Sequence, residues 1–169
     1  LTLLQELLKE YQRDPNEVQE QARQIADAIQ HLLRSGSPHA VDAKMVLEFG
    51  FCEKAGDSYY NAIGVIDADG SRLGTRRKNP LSPHPYETEP FTEPDWPDRS
   101  AVFQTLRGTV GVLSCFDGEF PESVRRMRLD GAEILLWCNA ATGNVRLSTS
   151  NRINYAAAYA QANRMWGVC

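Results

Sequence analysis

The chain has 169 residues, a formal net charge of −4 and a pI of about 5.4, with 42% hydrophobic and 24% charged residues. That is ordinary for a globular protein with a sizeable core. It argues against a polyanion-binding surface, which needs a basic footprint. No apolar run approaches the roughly 20 residues that span a bilayer, and no signal-peptide pattern opens the chain. Cys52, Cys115, Cys138 and Cys169 are widely spaced and form no CxxC pair. This spacing fits a reduced, cytoplasmic protein rather than a zinc knuckle or a redox dithiol. No His/Asp/Glu cluster has metal-ligand spacing, and no Gly-rich phosphate loop is present.

Leu1, Leu4, Leu7, Leu8 and Tyr11 recur at helical spacing, and Asp14-Pro15-Asn16 breaks them. Val18, Ala22, Ile25, Ala26, Ile29, Leu32 and Leu33 then predict an amphipathic helix that stops at Ser35-Gly36-Ser37-Pro38. Residues 44–51 and 61–67 read as strands, with a turn at Ala68-Asp69-Gly70-Ser71 and a returning strand from Leu73 to Lys78. Residues 79–100 hold six of the nine prolines and predict a long ordered loop, a kind that usually carries function. Val110 to Ser114 reads as a buried strand, followed by a helix from Pro121 to Leu129, closed by Gly131. A second buried strand, 132–138, a helix over 149–164 and a strand opening at Trp166 complete the order. The elements predict one α/β domain over residues 1–169, with 1–37 as a helical segment within it. The chain opens on Leu1 and closes as a strand begins, so a fragment incomplete at both ends is expected.

Cys115 stands between a strand and a helix that starts a few residues later. Such a turn presents a side chain at the carboxyl edge of a sheet, and a nearby ammonium would favour the thiolate. The competing reading is a small buried hydrophobe at a strand end. Asp117 is placed to hold the turn through its side chain, and Glu122 to open the next helix. Cys138 and Asn139 end the following strand and could line a pocket at the same edge, although Cys138 also suits a core position. Lys78 falls in a basic trio with Arg76 and Arg77, which by itself reads as a solvated cluster. Glu87 is one of five acids in its loop, with Glu89, Glu93, Asp95 and Asp98. His84 reads as a surface residue.

Six segments in order carry a resemblance. Tyr60-Asn61 to Ile66-Asp67 and Gly70 is similar to a YNxxxxIDxxG strand and turn. Arg77-Lys78-Asn79-Pro80-Leu81 is similar to RKxxL, and Glu87 to Asp95 to ExExFTxxD. Phe103 to Cys115 is similar to VFxTxxGxxGxxIC, Cys115 to Glu122 to CxDxxFPE, and Gly131 to Leu136 to GAEILL. Together they resemble the nitrilase superfamily of carbon–nitrogen hydrolases over about residues 45–169. Asn163 to Val168 fits a late ENxxYV strand loosely.

The resemblance implies a four-layer αββα sandwich, a Glu-Lys-Cys triad and no cofactor. Cys115 would attack a carbonyl or nitrile carbon, and Lys78 and the N–H of Phe116 would hold the oxyanion. Asn139 would border the substrate, and Glu87 would stand beside the triad. The general base is a glutamate on an early strand, in a segment like PExxxxGY. Glu6 is the local candidate, but Gln5 to Tyr11 lacks the proline and glycine, so the base is expected upstream of Leu1. The Asp117-to-Glu122 run tilts the reading toward the amidase and formamidase branch. The expected partners are a small linear amide, with nitriles or N-carbamoyl compounds as alternatives, and a second copy of the chain in a homodimer or larger homo-oligomer. Acyl transfer to an amine, a glutaminase domain and a catalytically inactive binding homologue are the rival functions.

Overall fold

The computed structural model describes residues 36–95, 101–139 and 145–168, together with Gln24, Asp27, His31 and Arg34. The chain divides into two compact units, Leu1–Gly36 and Ser37–Cys169. In the first, Gln24, Asp27, His31 and Arg34 are helical and exposed, as the polar face of the expected helix requires. The rest of that helix lies outside the described residues, as do the preceding stretch and Glu6 within it.

The second unit opens with a short helix, α1 (Pro38–Ala43), which the sequence reading passed over. Buried Ser37 caps it, accepting the Ala40 N–H at 3.4 Å. Three strands follow as one antiparallel sheet: β1 (Leu47–Ala55), β2 (Ser58–Ile66) and β3 (Arg72–Arg77). β1 and β2 join through Gly56-Asp57, with Ala55 opposite Ser58. Gly56 has φ +61, which suits a two-residue hairpin loop. The β2–β3 turn is held by buried Asp67, whose carboxylate accepts the Ala68 N–H at 2.7 Å and the Leu106 N–H at 3.0 Å. The second of these bonds ties this sheet to a turn of the other.

The second sheet has the order β4 (Val102–Thr105), β5 (Gly108–Ser114), β6 (Ile134–Cys138), β7 (Trp166–Val168). β4 and β5 are antiparallel, whereas β5, β6 and β7 run parallel. Parallel neighbours need crossovers. A 3₁₀ turn (Cys115–Glu119) and α3 (Pro121–Leu129) supply the first, and α4 (Val145–Asn163) supplies the second; the proline-rich loop between the sheets carries the short helix α2 (Pro85–Thr88).

β5 is buried on both faces, which explains its unbroken apolar run. Val110 and Val112 meet Ile63, Val65 and Phe103 between the sheets. Leu113 faces the other way and packs with Leu135, Trp137, Val124, Met127, Ala156 and Met165 under α3 and α4. Sheet, sheet and helix layers are therefore described, in the α/β architecture that the sequence implies. Each fully buried Val, Ile or Leu contributes about 1.5–3 kcal/mol.

Gly118 marks where this packing is tightest beside the 3₁₀ turn. A Cβ there would collide with the Trp137 ring at Cε2, Nε1 and Cζ2. Trp137 is itself buried and donates from Nε1 to the Cys115 carbonyl at 2.9 Å. Gly118→Ala is expected to destabilise the unit by about 1–3 kcal/mol in urea unfolding. An unchanged midpoint would show that the ring has room to move.

Candidate active site

Strand alternation sorts the basic trio. Arg76 and Lys78 share the face turned toward the second sheet, and Arg77 takes the other. Arg77 makes a two-point contact with Glu53 at 2.7 and 3.1 Å, and stacks over the Tyr60 ring at 3.8 Å. Arg76 and Lys78 are buried. The competing reading of the trio as a solvated cluster fails for Arg76 and Lys78: only Arg77 keeps substantial contact with water.

The Lys78 side chain is fully buried, and its Nζ lies 2.5 and 2.7 Å from the two oxygens of Glu87. Glu87 Oε1 also accepts from Asn61 Nδ2 at 3.0 Å, and Oε2 from the Ser82 N–H at 2.5 Å. α2 turns Glu87 inward, whereas Glu89, Glu93 and Asp95 of the same loop are exposed. Four donor contacts to one carboxylate offset its desolvation.

Cys115 follows β5 directly and has φ +47, the left-handed region that a non-glycine residue enters at a cost of order 1–3 kcal/mol. Two contacts hold that conformation. Trp137 donates to the Cys115 carbonyl, and Asp117 Oδ1 accepts the Ser114 N–H at 2.7 Å. Asp117 therefore holds the turn as expected. It is fully buried, and its Oδ2 forms an ion pair with Arg76 Nη1. Burial pushes the Asp117 carboxyl above its usual range, while the Arg76 charge, the Arg76 and Ser114 hydrogen bonds and the Lys78 charge oppose it. Lys78 and the Cys115 turn thus share one electrostatic neighbourhood.

The other expected site residues lie around this turn. Phe116 is half-buried and packs edge-on against Phe120. Asn139 is exposed at the end of β6, and its Nδ2 donates to the Trp137 carbonyl at 3.1 Å. Cys138 is not a plain core residue. Its thiol donates to Glu48 Oε1 at 3.1 Å, across the gap between the sheets. Burial, with the Glu48 charge and hydrogen bond, pushes this thiol up to about 12. Glu48 escaped the sequence reading, although the signal was there: an acid in the inward register of an apolar strand, two residues after Val46. An open recess of about 410 Å³ bordered by Glu53, Tyr60, Thr75, Arg77, Pro94 and Asp95 lies on the opposite face of the first sheet from Lys78, away from this chemistry.

Breaking a buried pair leaves an uncompensated charge. Lys78→Met is expected to cost about 3–5 kcal/mol in denaturant unfolding, and adding Glu87→Leu to recover most of it. A single-variant loss below about 1 kcal/mol would mean that the Glu87 carboxylate finds water.

A family model described as carbon-nitrogen hydrolase matches residues 1–169. The chain is 38% identical over 101 residues to an N-carbamoylputrescine amidase of Solanum tuberosum, covering 60% of this chain and 34% of that relative. It is 40% identical over 96 residues to a citrullinase of Francisella tularensis, covering 57% of this chain and 34% of the relative. The matched stretch thus spans about a third of these relatives' length. Among solved structures, a carbon-nitrogen hydrolase from Helicobacter pylori G27 superposes with a TM-score of 0.62 at 30% identity, over 75% of this chain and 46% of that one. A mutant amidase from Nesterenkonia sp. AN1, showing acrylamide added to its active-site cysteine, superposes with a TM-score of 0.66 at 25% identity, over 85% of this chain and 55% of that one. The chain belongs to the carbon-nitrogen hydrolase family.

Proposed function

We propose that this chain carries the nucleophile Cys115 and the oxyanion-binding Lys78 of an amidase that cleaves a non-peptide C–N bond in a small linear amide. The observation that carries the reading is the buried Lys78–Glu87 pair, set on the same strand face as the arginine that grips the Cys115 turn. The cysteine adduct in the Nesterenkonia amidase supports a thiol nucleophile in this fold.

The Cys115 sulfur adds to the carbonyl carbon, and the C=O electron pair moves to oxygen, where Lys78 and the Phe116 N–H receive the charge. The thiol proton passes to a glutamate base and on to the departing nitrogen. The C–N bond breaks, ammonia or an amine leaves, and a thioester remains. Water then cleaves the thioester, releasing the acid and restoring the thiol. Glu87 keeps Lys78 oriented, and Asn139 borders the acyl group. No step draws on a cofactor.

A second substrate reading rests on the relatives. The names N-carbamoylputrescine amidase and citrullinase both denote cleavage of a terminal ureido group. An N-carbamoyl amine would react at the same thiol, yielding the free amine, carbon dioxide and ammonia. A panel of a linear amide, an N-carbamoyl amine and a nitrile, read by ammonia release, separates the options.

Iodoacetamide labelling of the full-length protein at a pH of about 6.5, well below the ordinary thiol value of ~8.5, tests the nucleophile. Located by mass spectrometry, Cys115 is expected to label at least ~10-fold faster than Cys52 or Cys138. The advantage should shrink in folded Lys78→Ala. Burial raises both comparison thiols, so they are internal references. Equal labelling of all three would favour a binding homologue that has kept the fold.

A further inference from the structure

Asn61 has no part in the proposed reaction, yet it touches both members of the Lys78–Glu87 pair. Its backbone carbonyl accepts the Lys78 N–H at 2.7 Å, just past the end of β3. Its side chain shares the inward face of β2 with Ile63 and Val65. From there Nδ2 donates to Glu87 Oε1 at 3.0 Å. One residue therefore fixes the root of the lysine and the carboxylate that receives its tip.

Neutral donors hold that carboxylate on both oxygens. Asn61 takes Oε1, and the Ser82 N–H takes Oε2 at 2.5 Å. The terminal torsion of a glutamate is soft, so a carboxylate gripped at one oxygen can still turn. Gripped at both, its plane is set. Lys78 meets this plane with Nζ at 2.5 and 2.7 Å from the two oxygens. An ammonium has three N–H donors. The two-point contact with Glu87 occupies two of them. Among the described residues Nζ has no further acceptor, although Lys78 is only 1% exposed. The third N–H is a buried donor whose direction follows from the Glu87 plane.

We propose that Asn61 is a positioning residue: by holding Glu87 Oε1, it aims the third Lys78 N–H at the point where charge develops on the substrate carbonyl oxygen. The inference rests on the proposed roles of Cys115 and Lys78. Without the amide, Oε1 keeps only the lysine. The pair then turns together about the Ser82 anchor, and the third N–H leaves its line. A misplacement of about 1 Å in such a donor can cost on the order of 100-fold in rate. The ammonium keeps its charge and its burial, so its effect on the thiol stays.

The test compares two reactions of Cys115 in the full-length protein. Amide turnover passes through an oxyanion in both acylation and thioester hydrolysis. Alkylation by iodoacetamide displaces iodide from a saturated carbon and builds no oxyanion. Asn61→Leu keeps the branched shape and removes the donor. It should lower kcat about 10–100-fold on whichever panel substrate turns over, with KM within about twofold. Cys115 alkylation should stay within about twofold of wild type, because the ammonium is still there. Asn61→Ala should behave alike and keeps the test alive if Asn61→Leu fails to fold. Wild-type kcat in either folded variant overturns the proposal. So does a parallel fall in kcat and alkylation, which marks a general loss of the site, and so does a rise in KM alone, which marks direct contact with substrate. Cys115→Ala and Lys78→Ala separate the two levels. If both abolish turnover while the Asn61 variants match wild type, only the positioning role falls; if either keeps wild-type kcat, the reading beneath it falls, and the positioning role with it.

Discussion

The Arg76–Asp117 ion pair joins the two sheets beside the Cys115 turn. Arg76 comes from the first sheet and Asp117 from the 3₁₀ turn that leaves the second. Both are buried, so neither charge can be left without the other. The remaining oxygen of Asp117 holds the Ser114 N–H, and Trp137 holds the Cys115 carbonyl from the opposite side. A residue at φ +47 needs such over-determination to persist. The Cys115 turn is thus a tertiary feature, set by a contact between sheets as much as by its own sequence.

The same strand that supplies Arg76 ends by delivering Lys78. Their shared parity puts two cations on one buried face, and each receives a carboxylate from a different element: Asp117 from the turn, Glu87 from α2. Among the described residues, no buried side-chain nitrogen or oxygen lacks a hydrogen-bond partner. A fully satisfied polar network of this kind is rigid, which suits the fixed relation of thiol and ammonium that the proposed reaction needs.

Much of this was legible beforehand, because it rests on local pattern. The β5 apolar run, Pro121 at the helix start and the spacing of the six segments pointed to the strand–turn–helix unit around Cys115. What escaped depends on pairing across distance. A basic trio looks solvated until strand alternation is applied, and then Arg77 separates from its neighbours. Glu87 was singled out from its acidic neighbours only by its offset from Phe91 in the resembling segment; periodicity gave nothing, because α2 is four residues long. Cys138 read as core because its partner, Glu48, lies 90 residues away on the other sheet. The hairpin strand β4 is too short and mixed to stand out.

The central claim is that Cys115 forms the covalent bond to substrate. Its most direct test is acid-quenching of the full-length protein during turnover, followed by mass analysis of the tryptic peptide spanning residues 108–125, in which Cys115 is the sole cysteine. The account predicts a mass increase equal to the acyl group of the substrate on that peptide, lost on incubation at neutral pH as the thioester hydrolyses. An unmodified peptide 108–125 under conditions where product accumulates and another residue carries the acyl group would contradict it.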